Sequence, residues 1–401
     1  MIRDLTHSLR LLRRTPGFTA VAIAVLALGI GVNAAVFSVV NALVLQPRPG
    51  RIDRVVAVFG RDRIKPDSYR DFSYPAYIDL RDGTRAVFDD LLAHTFTTVG
   101  VRESDKVEQM FASVVSSNYF STLGVPLAAG RPFTPDEERP GSRPRSAIAS
   151  HAVWQRHGLA RDFVGSTVRV NGGLFTVVGV APRGFSGTMT LVSPQWWFPL
   201  GSYDEVMNEM FKERATGLTD RMNYSLNLAG ALKPGVTPAA ATAALNVVAA
   251  QTARDFPASD RDQELSIGHM ARMSVGARPE SDSQLSTISA LLMLMATLVL
   301  LVACLNLANL LLARGMARRR EIAIRQALGS GRGRIVRQLV VEGFVLSLAG
   351  GAIGVVVGWW SSRALAAWFG SALPLGIDIV LDPSGRIVGA GLAFAVFSTL
   401  C

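Results

Sequence analysis

The chain has 401 residues, a mean hydropathy of +0.29 and a formal charge of +10. The excess lies in two short segments, +3 in residues 1–17 and +7 in residues 314–341, against +1 across the whole of 46–285. A nucleic-acid binder carries its basic residues on a folded domain, so this distribution excludes that class. The two cysteines, Cys304 and Cys401, leave no disulfide framework for the long middle segment.

Residues 1–17 carry Ile2, Leu5, Leu9 and Leu12 at helical spacing among four arginines. This pattern predicts a short amphipathic helix on the inner leaflet of a membrane. Residues 18–45 are uncharged over 28 positions, well beyond the apolar core of a signal peptide, and predict a first membrane span. Residues 46–285 form the only large hydrophilic stretch, long enough to bury a core of its own. Strands are predicted at 54–59, 111–115, 167–170, 175–180 and 224–231, with a hairpin turn at Asn171-Gly172-Gly173. Helices are predicted at 77–92 and at 238–253, the second opened by Thr237 and Pro238. This mix reads as α+β in two lobes, with residues 131–145 as a surface loop or lobe boundary. The acidic run Asp136, Glu137 and Glu138 beside prolines reads as a solvated loop.

A second span is predicted at 286–313. It is followed at 314–341 by eight arginines against Glu321 alone. Arginine at this density marks the cytoplasmic side, so the N-terminus is expected inside and 46–285 outside. The third span, 342–362, carries Gly350, Gly354 and Gly358, a four-residue spacing that lets helix backbones approach closely in lipid. Asn33, Asn306 and Asn309 are expected to hydrogen-bond between helices. After an outer loop at 363–386, residues 387–401 are apolar but only 15 long, too short to cross about 30 Å of hydrocarbon. They read as a fourth span cut short. The predicted fold class is therefore a membrane α-helical protein, three complete spans plus a truncated fourth, with a large α+β extracytoplasmic domain.

Chemical motifs are absent where an enzyme would need them. A phosphate loop needs GxxxxGK followed by Ser or Thr, yet none of Lys65, Lys106, Lys212 and Lys233 stands in that context. The glycine-rich run 329–333 lies among arginines and reads as a turn between helices. His151 and His157 are six apart, which fits no common zinc spacing, and no GxSxG elbow occurs. No catalytic residue, metal or cofactor is assigned. The segment 318–328 has two readings: its arginines merely hold the loop inside, or it is a short coupling helix docked on an ATPase, with Glu321 and Arg325 four apart on one face.

These landmarks resemble a known family. One span, an outer domain of some 240 residues and then further spans is the plan of the MacB/FtsX-type permeases of ABC systems, and the wording is similar to the tandem-duplicated, acidobacterial type. The resemblance is carried by the first-span text from Leu12 to Leu45; by Asn118, Tyr119, Phe120, Leu123, Gly124, Gly130 and Arg131; by Trp154, Gly165, Asn171, Gly172, Val178, Gly179, Val180, Pro182 and Phe185; by Leu232-Lys233-Pro234-Gly235-Val236; and by the run from Glu321 into the third span. It implies a periplasmic core domain with a porter-like lobe and an inserted β-rich lobe at about 125–200. It implies a chain in the bacterial inner membrane, working beside a separate cytoplasmic ABC ATPase as a homodimer or with a tandem second permease half, in membrane lipid and with a periplasmic adaptor. It favours the coupling reading, in which Arg318, Glu321, Ile322, Arg325, Ala327, Leu328 and Gly329 meet the ATPase. Two functions fit: a mechanotransmission or efflux permease, and a non-transporting signalling scaffold of FtsX type that regulates cell-wall hydrolases or senses a ligand.

Overall fold

The computed structural model describes residues 16–41, 54–103, 106–188, 193–208, 217–270, 277–279, 281–317 and 332–372, with positions 44, 50, 389 and 393. They fall into two compact units, one of long helices and one built on a sheet.

The helical unit holds α1 (Pro16–Val40), α9 (Ser283–Ala317) and α10 (Arg332–Ala372). Each contains a stretch long and apolar enough to cross a membrane: Pro16–Val40, Leu285–Leu310 and Val341–Ser361. The truncated fourth span expected at 387–401, the amphipathic helix expected at 1–17 up to Thr15, and the segment 318–331 lie outside the described residues.

The sheet unit runs, in chain order, through β1 (Val55–Asp62), β2 (Tyr69–Arg70), α2 (Tyr74–Gly83), β3 (Phe88–Glu103), β4 (Lys106–Val115), α3 (Tyr119–Thr122), β5 (Ala129–Gly130), α4 (Pro135–Glu138), β6 (Ser146–Ala149), α5 (His151–Arg156), β7 (Thr167–Val170), β8 (Gly173–Val180), β9 (Trp196–Pro199), α6 (Tyr203–Val206), β10 (Asn227–Leu232), α7 (Pro238–Asp255), α8 (Pro257–Asp260) and β11 (Gln263–His269). The strands follow one another as β11-β1-β10-β3-β4-β9-β6-β8-β5. Strands from 129–199 therefore occupy one end of the sheet, and strands from 55–115 and 227–269 the other. At the first end the pairings close on themselves. β7 pairs both β8 and the far end of β3, where Val101 faces Val170 and Arg102 faces Arg169, completing a six-strand ring β3-β4-β9-β6-β8-β7.

Alternation along these strands fills two cores. Met110, Ala112 and Val114 of β4, Ala147 and Ala149 of β6, Phe175 and Val177 of β8, and Trp196 and Phe198 of β9 point into one cluster. Val115, Ile148 and Trp197, from the opposite faces of the same strands, point into the second with Tyr119, Phe120 and Phe185. The hairpin β7–β8 turns on Asn171 and Gly172, with φ of +46° and +86°, the pair of left-handed residues a two-residue hairpin demands. Asn171 also receives the Gly100 N–H on Oδ1 at 2.8 Å, pinning the turn to β3.

Two expectations need correction. The helix expected at 77–92 is Tyr74–Gly83, opened by Ser73 and closed at Thr84, whose hydroxyl donates to Leu80 O at 2.6 Å. Phe88–Leu92 instead start β3 and pair with β10. Leu91 and Leu92 are both buried, in different cores, so this strand is apolar on both faces and mimics a buried helix in sequence. The second correction concerns the acidic run at Asp136–Glu138. Thr134 and Glu137 form a capping box on α4, and Glu138 is interior, 3% exposed. Its carboxylate accepts from the Ser117 N–H at 2.9 Å, the Ser117 hydroxyl at 2.5 Å and Arg81 at 3.0 Å, joining α2, α4 and the end of β4. The helix opened by Thr237 runs Pro238–Asp255, with the Thr237 hydroxyl accepting from Ala240 N at 3.2 Å.

Candidate functional site

The features that bear on function in the helical unit are close approaches between helices. A methyl carbon built on Gly350 would lie 2.6 Å from Leu26 Cβ, on Gly354 2.9 Å from the Ala27 carbonyl oxygen, and on Gly358 2.7 Å from the Gly31 carbonyl oxygen. The carbonyl oxygens met by these carbons, of Ile23, Ala27 and Gly31, advance by four as the glycines do, so α1 and α10 run parallel with their backbones in contact. Glu342, further back on α10, is buried, 2% exposed.

The other face of α1 meets α9. A methyl carbon on Gly29 would lie 2.8 Å from Ala303 Cβ, and the Asn33 amide donates to Gly29 O and across to Ala296 O, each at 2.8 Å. Of the three asparagines expected to bridge helices, Asn33 does so, whereas Asn306 and Asn309 are exposed on α9. The residues expected to couple to an ATPase, Arg318, Glu321, Ile322, Arg325, Ala327, Leu328 and Gly329, lie outside the described residues.

In the sheet unit, the strands by which the chain enters and leaves are neighbours. β1 and β11 pair antiparallel from Val56↔His269 to Asp62↔Gln263, an uninterrupted ladder of seven pairs. Arg61 and Glu264 face each other within it, bonded at 2.6 Å. A second clamp lies beside them. Arg221 pairs with Asp79 of α2 and, at 2.9 Å, with Asp260 of α8, and its guanidinium stacks 3.7 Å over Phe256. This cluster was not legible in the sequence, because its members are 142 and 39 residues apart.

The motif residues of the sheet unit do packing work. Asn118 donates to Leu91 O at 2.9 Å, while Tyr119 and Phe120 pack on Phe185 and Trp197. Gly130 admits the β8 backbone, where a methyl carbon would meet the carbonyl oxygen of Val178. Trp154 donates its indole N–H to Ala160 O at 2.9 Å. His94 is sealed among Phe96 and Tyr119, and burial lowers its pKa to about 4, so the ring is neutral. Burial likewise pushes the Tyr119 phenol up to about 12. An open cleft of about 630 Å³ is lined by Arg54, Asp89, Asp90 and Lys233 over an apolar floor including Leu232 and Pro234. Among the described residues no group of three or more His, Cys, Asp or Glu is placed to hold a metal ion.

Comparison with known proteins identifies the architecture. The model of the MacB-like periplasmic core domain matches residues 19–248, and that of the FtsX-like permease C-terminal region matches 293–401. The chain is 26% identical over 271 residues to the macrolide export ATP-binding/permease protein MacB of Burkholderia cenocepacia, covering 67% of this chain and 36% of that one. It is 23% identical over 281 residues to the uncharacterized ABC transporter permease YknZ of Bacillus subtilis, covering 69% of this chain and 64% of that one. The chain thus spans little more than a third of the Burkholderia protein's length. Among solved structures, the periplasmic region of MacB from Actinobacillus actinomycetemcomitans is similar at 13% identity and a TM-score of 0.39, covering 59% of this chain and 92% of that one. The extracellular domain of YknZ is similar at 13% identity and a TM-score of 0.37, covering 53% and 99%. Three membrane-length helices together with these two family regions make this a multi-pass membrane protein, and with the core-domain model matching more than half of its residues, the chain belongs to the family of MacB/FtsX-type ABC transporter permeases.

Proposed function

We propose that the chain is the permease subunit of an ATP-driven mechanotransmission system in an inner membrane, which moves its outer domain to expel small molecules or peptides from the far side. Its N-terminus and residues 314–341 face the cytoplasm, and the sheet unit faces outward. In this reading the work comes from an ABC ATPase on a separate chain; residues 1–401 themselves hold no GxxxxGK loop followed by Ser or Thr. That ATPase docks on the coupling segment, where Ile322, Ala327 and Leu328 give apolar contact while Glu321 and Arg325 hold the helix in place.

The observation that supports this reading best is the ladder between β1 and β11. The two segments that leave the first and second spans enter the outer unit as adjacent antiparallel strands. Displacement of either span is then delivered to one hydrogen-bonded ribbon and through it to the whole sheet. The helices those segments belong to, α1 and α9, are themselves joined at Asn33 and Gly29. A chain tied together at both levels suits the delivery of motion better than the opening of a pore.

The test is co-purification of the full-length permease with the ATPase encoded beside it, before and after replacing Ile322 and Leu328 together by Asp. Burying side chains of this size supplies about 1.5–3 kcal/mol each, so their loss should abolish ATPase binding and stimulation while membrane insertion persists. Undiminished binding and stimulation in the double variant would refute the coupling role.

A further inference from the structure

Several buried polar atoms of the sheet unit have no hydrogen-bond partner, and four of them lie together: His94 Nδ1, the Thr188 hydroxyl, the Tyr119 hydroxyl and the Trp197 indole N–H. None of the four residues is more than 6% exposed. The His94 and Tyr119 rings meet edge to face at 6.0 Å, and the Tyr119 hydroxyl is flanked by Thr188 and Trp197. A methyl carbon on Gly187 would lie 3.1 Å from that hydroxyl, so the backbone before Thr188 lies against the cluster. Buried polar atoms are almost always paired, and orphans gathered in one place call for a partner that the chain does not supply.

Two of these residues, His94 and Thr188, line a cavity of about 40 Å³. A water needs about 10–15 Å³ of such space, so the cavity takes about three water-sized guests. Otherwise its buried wall is apolar, with Val58, Phe59, Phe72, Leu228 and Met270 among its members. Arg70, Asp71 and Asn227, all half-buried, stand at its rim. Arg70 is already committed, 3.6 Å from Asp260 and 4.3 Å over the Tyr224 ring, and Asp71 also interacts within the chain. The buried wall holds no acid or base besides His94, which burial keeps neutral.

These features select the guest. An ion would leave water for a wall with no opposite charge to meet it, and a purely apolar guest would leave His94 and Thr188 unpaired. A guest that both donates and accepts satisfies the two side chains at once, since the imidazole offers a donor or an acceptor by tautomer and the hydroxyl offers both. We propose that the cavity binds a small neutral molecule carrying a primary amide or a hydroxyl, of about four heavy atoms, in exchange for water. His94 and Thr188 recognise its polar group, and the apolar wall receives the rest. The site lies wholly within the sheet unit, and the proposal stands whether that unit transmits motion or senses a ligand.

Saturation-transfer NMR on the full-length chain in detergent tests it, with empty micelles as the reference. Acetamide, acetone and acetate have the same number of heavy atoms; the first donates and accepts, the second only accepts and the third is charged. Transfer to the acetamide methyl should saturate with concentration and exceed that to acetone or acetate by roughly fivefold, the worth of one net hydrogen bond. Thr188→Val keeps the shape and removes the hydroxyl, so it should lower acetamide transfer to the acetone level. Without a guest this variant should melt at or above wild type, because an unpaired hydroxyl has gone. Ala57→Val is a second variant, which keeps both polar side chains and fills the cavity that Ala57 lines; it should abolish transfer, and it decides the matter if Thr188→Val does not melt cooperatively. Equal transfer to all three probes, acetamide transfer no greater than from empty micelles, or undiminished transfer in either folded variant would each overturn the proposal.

Discussion

Replacing Gly354 by alanine places one methyl group where the structure leaves no room. The new carbon would lie 2.9 Å from the Ala27 carbonyl oxygen and 3.1 Å from Ile30 Cβ, whereas ordinary contact begins at 3.4 Å. The nearest atom is backbone and cannot rotate away, so α1 and α10 must part by about half an ångström. Overpacking of this kind costs about 1–3 kcal/mol, from which alanine's better helix propensity recovers up to about 1 kcal/mol. The net loss is therefore about 1 kcal/mol, and it should grow for Gly354→Leu. Gly343 supplies the control, since it lies on the same helix with nothing within 4 Å of its added carbon. There the propensity gain acts alone, so Gly343→Ala should be neutral or stabilising. Thermal unfolding of the full-length chain in detergent should rank Gly343→Ala at or above wild type, then Gly354→Ala, then Gly354→Leu. If both Gly354 variants melt with wild type, the glycines are not a packing seam and the register drawn through them fails.

Further outcomes concern the sheet unit and the topology. A 50–280 fragment should be soluble and melt cooperatively with or without reductant, since it holds no cysteine; absence of a cooperative melt counts against an independent domain. His94 is held neutral down to about pH 4 when folded, while the unfolded chain protonates near 6.5. Stability of that fragment should therefore fall between pH 6.5 and 4, by about 3 kcal/mol; His94→Leu should remove that part of the pH dependence, and an unchanged slope in denaturant unfolding would sink the assignment. Glu138→Ala leaves the Ser117 N–H and Arg81 without their buried acceptor and should cost about 2–4 kcal/mol, with Glu138→Gln milder; equal midpoints for the two variants would mean the carboxylate is not the anchor. Finally, Ser142→Cys should react with an impermeant maleimide once the outer membrane is permeabilised and Ser330→Cys should not; the reverse pattern would invert the topology.

What could be read from the sequence were features whose cause is local. Uncharged runs of membrane length, the arginine block, the Asn171-Gly172 turn and the Thr237 cap each express a rule that acts within a few residues. Strand β3 was misread because its first half is buried on both faces, so Leu91 and Leu92 lose the alternation that marks a half-exposed strand. β6 and β9 escaped notice at four residues each; they are held in place by pairing with strands distant in sequence. Glu138 shows the same limit from the polar side. Beside prolines the acidic run reads as a solvated loop, and the burial of Glu138 depends on Arg81 and Ser117, which only the fold brings near. The glycine spacing was visible in α10, whereas its partner on α1, the line from Leu26 to Gly31, follows from packing alone.

The β1–β11 ladder carries a stricter consequence of the mechanotransmission reading. If motion reaches the outer unit through one ribbon, the two strands must travel together and never slide past each other. Arg61 and Glu264 are registered partners in that ladder and are both partly exposed. Directly opposed antiparallel residues have Cα atoms about 4.5–5.5 Å apart, within the range a disulfide can bridge. No other cysteine lies between residues 46 and 285, so Arg61→Cys with Glu264→Cys should give one defined bond. Losing the partly exposed ion pair costs at most about 1 kcal/mol. Oxidising the full-length double variant should leave its stimulation of the partner ATPase unchanged, because the bond only reinforces a contact that never opens. A mechanism in which the first and second spans drive the outer unit by sliding one strand against the other predicts the opposite: stimulation lost on oxidation and restored by reductant. That reversible loss would refute the single-ribbon account while leaving family membership and membrane topology intact.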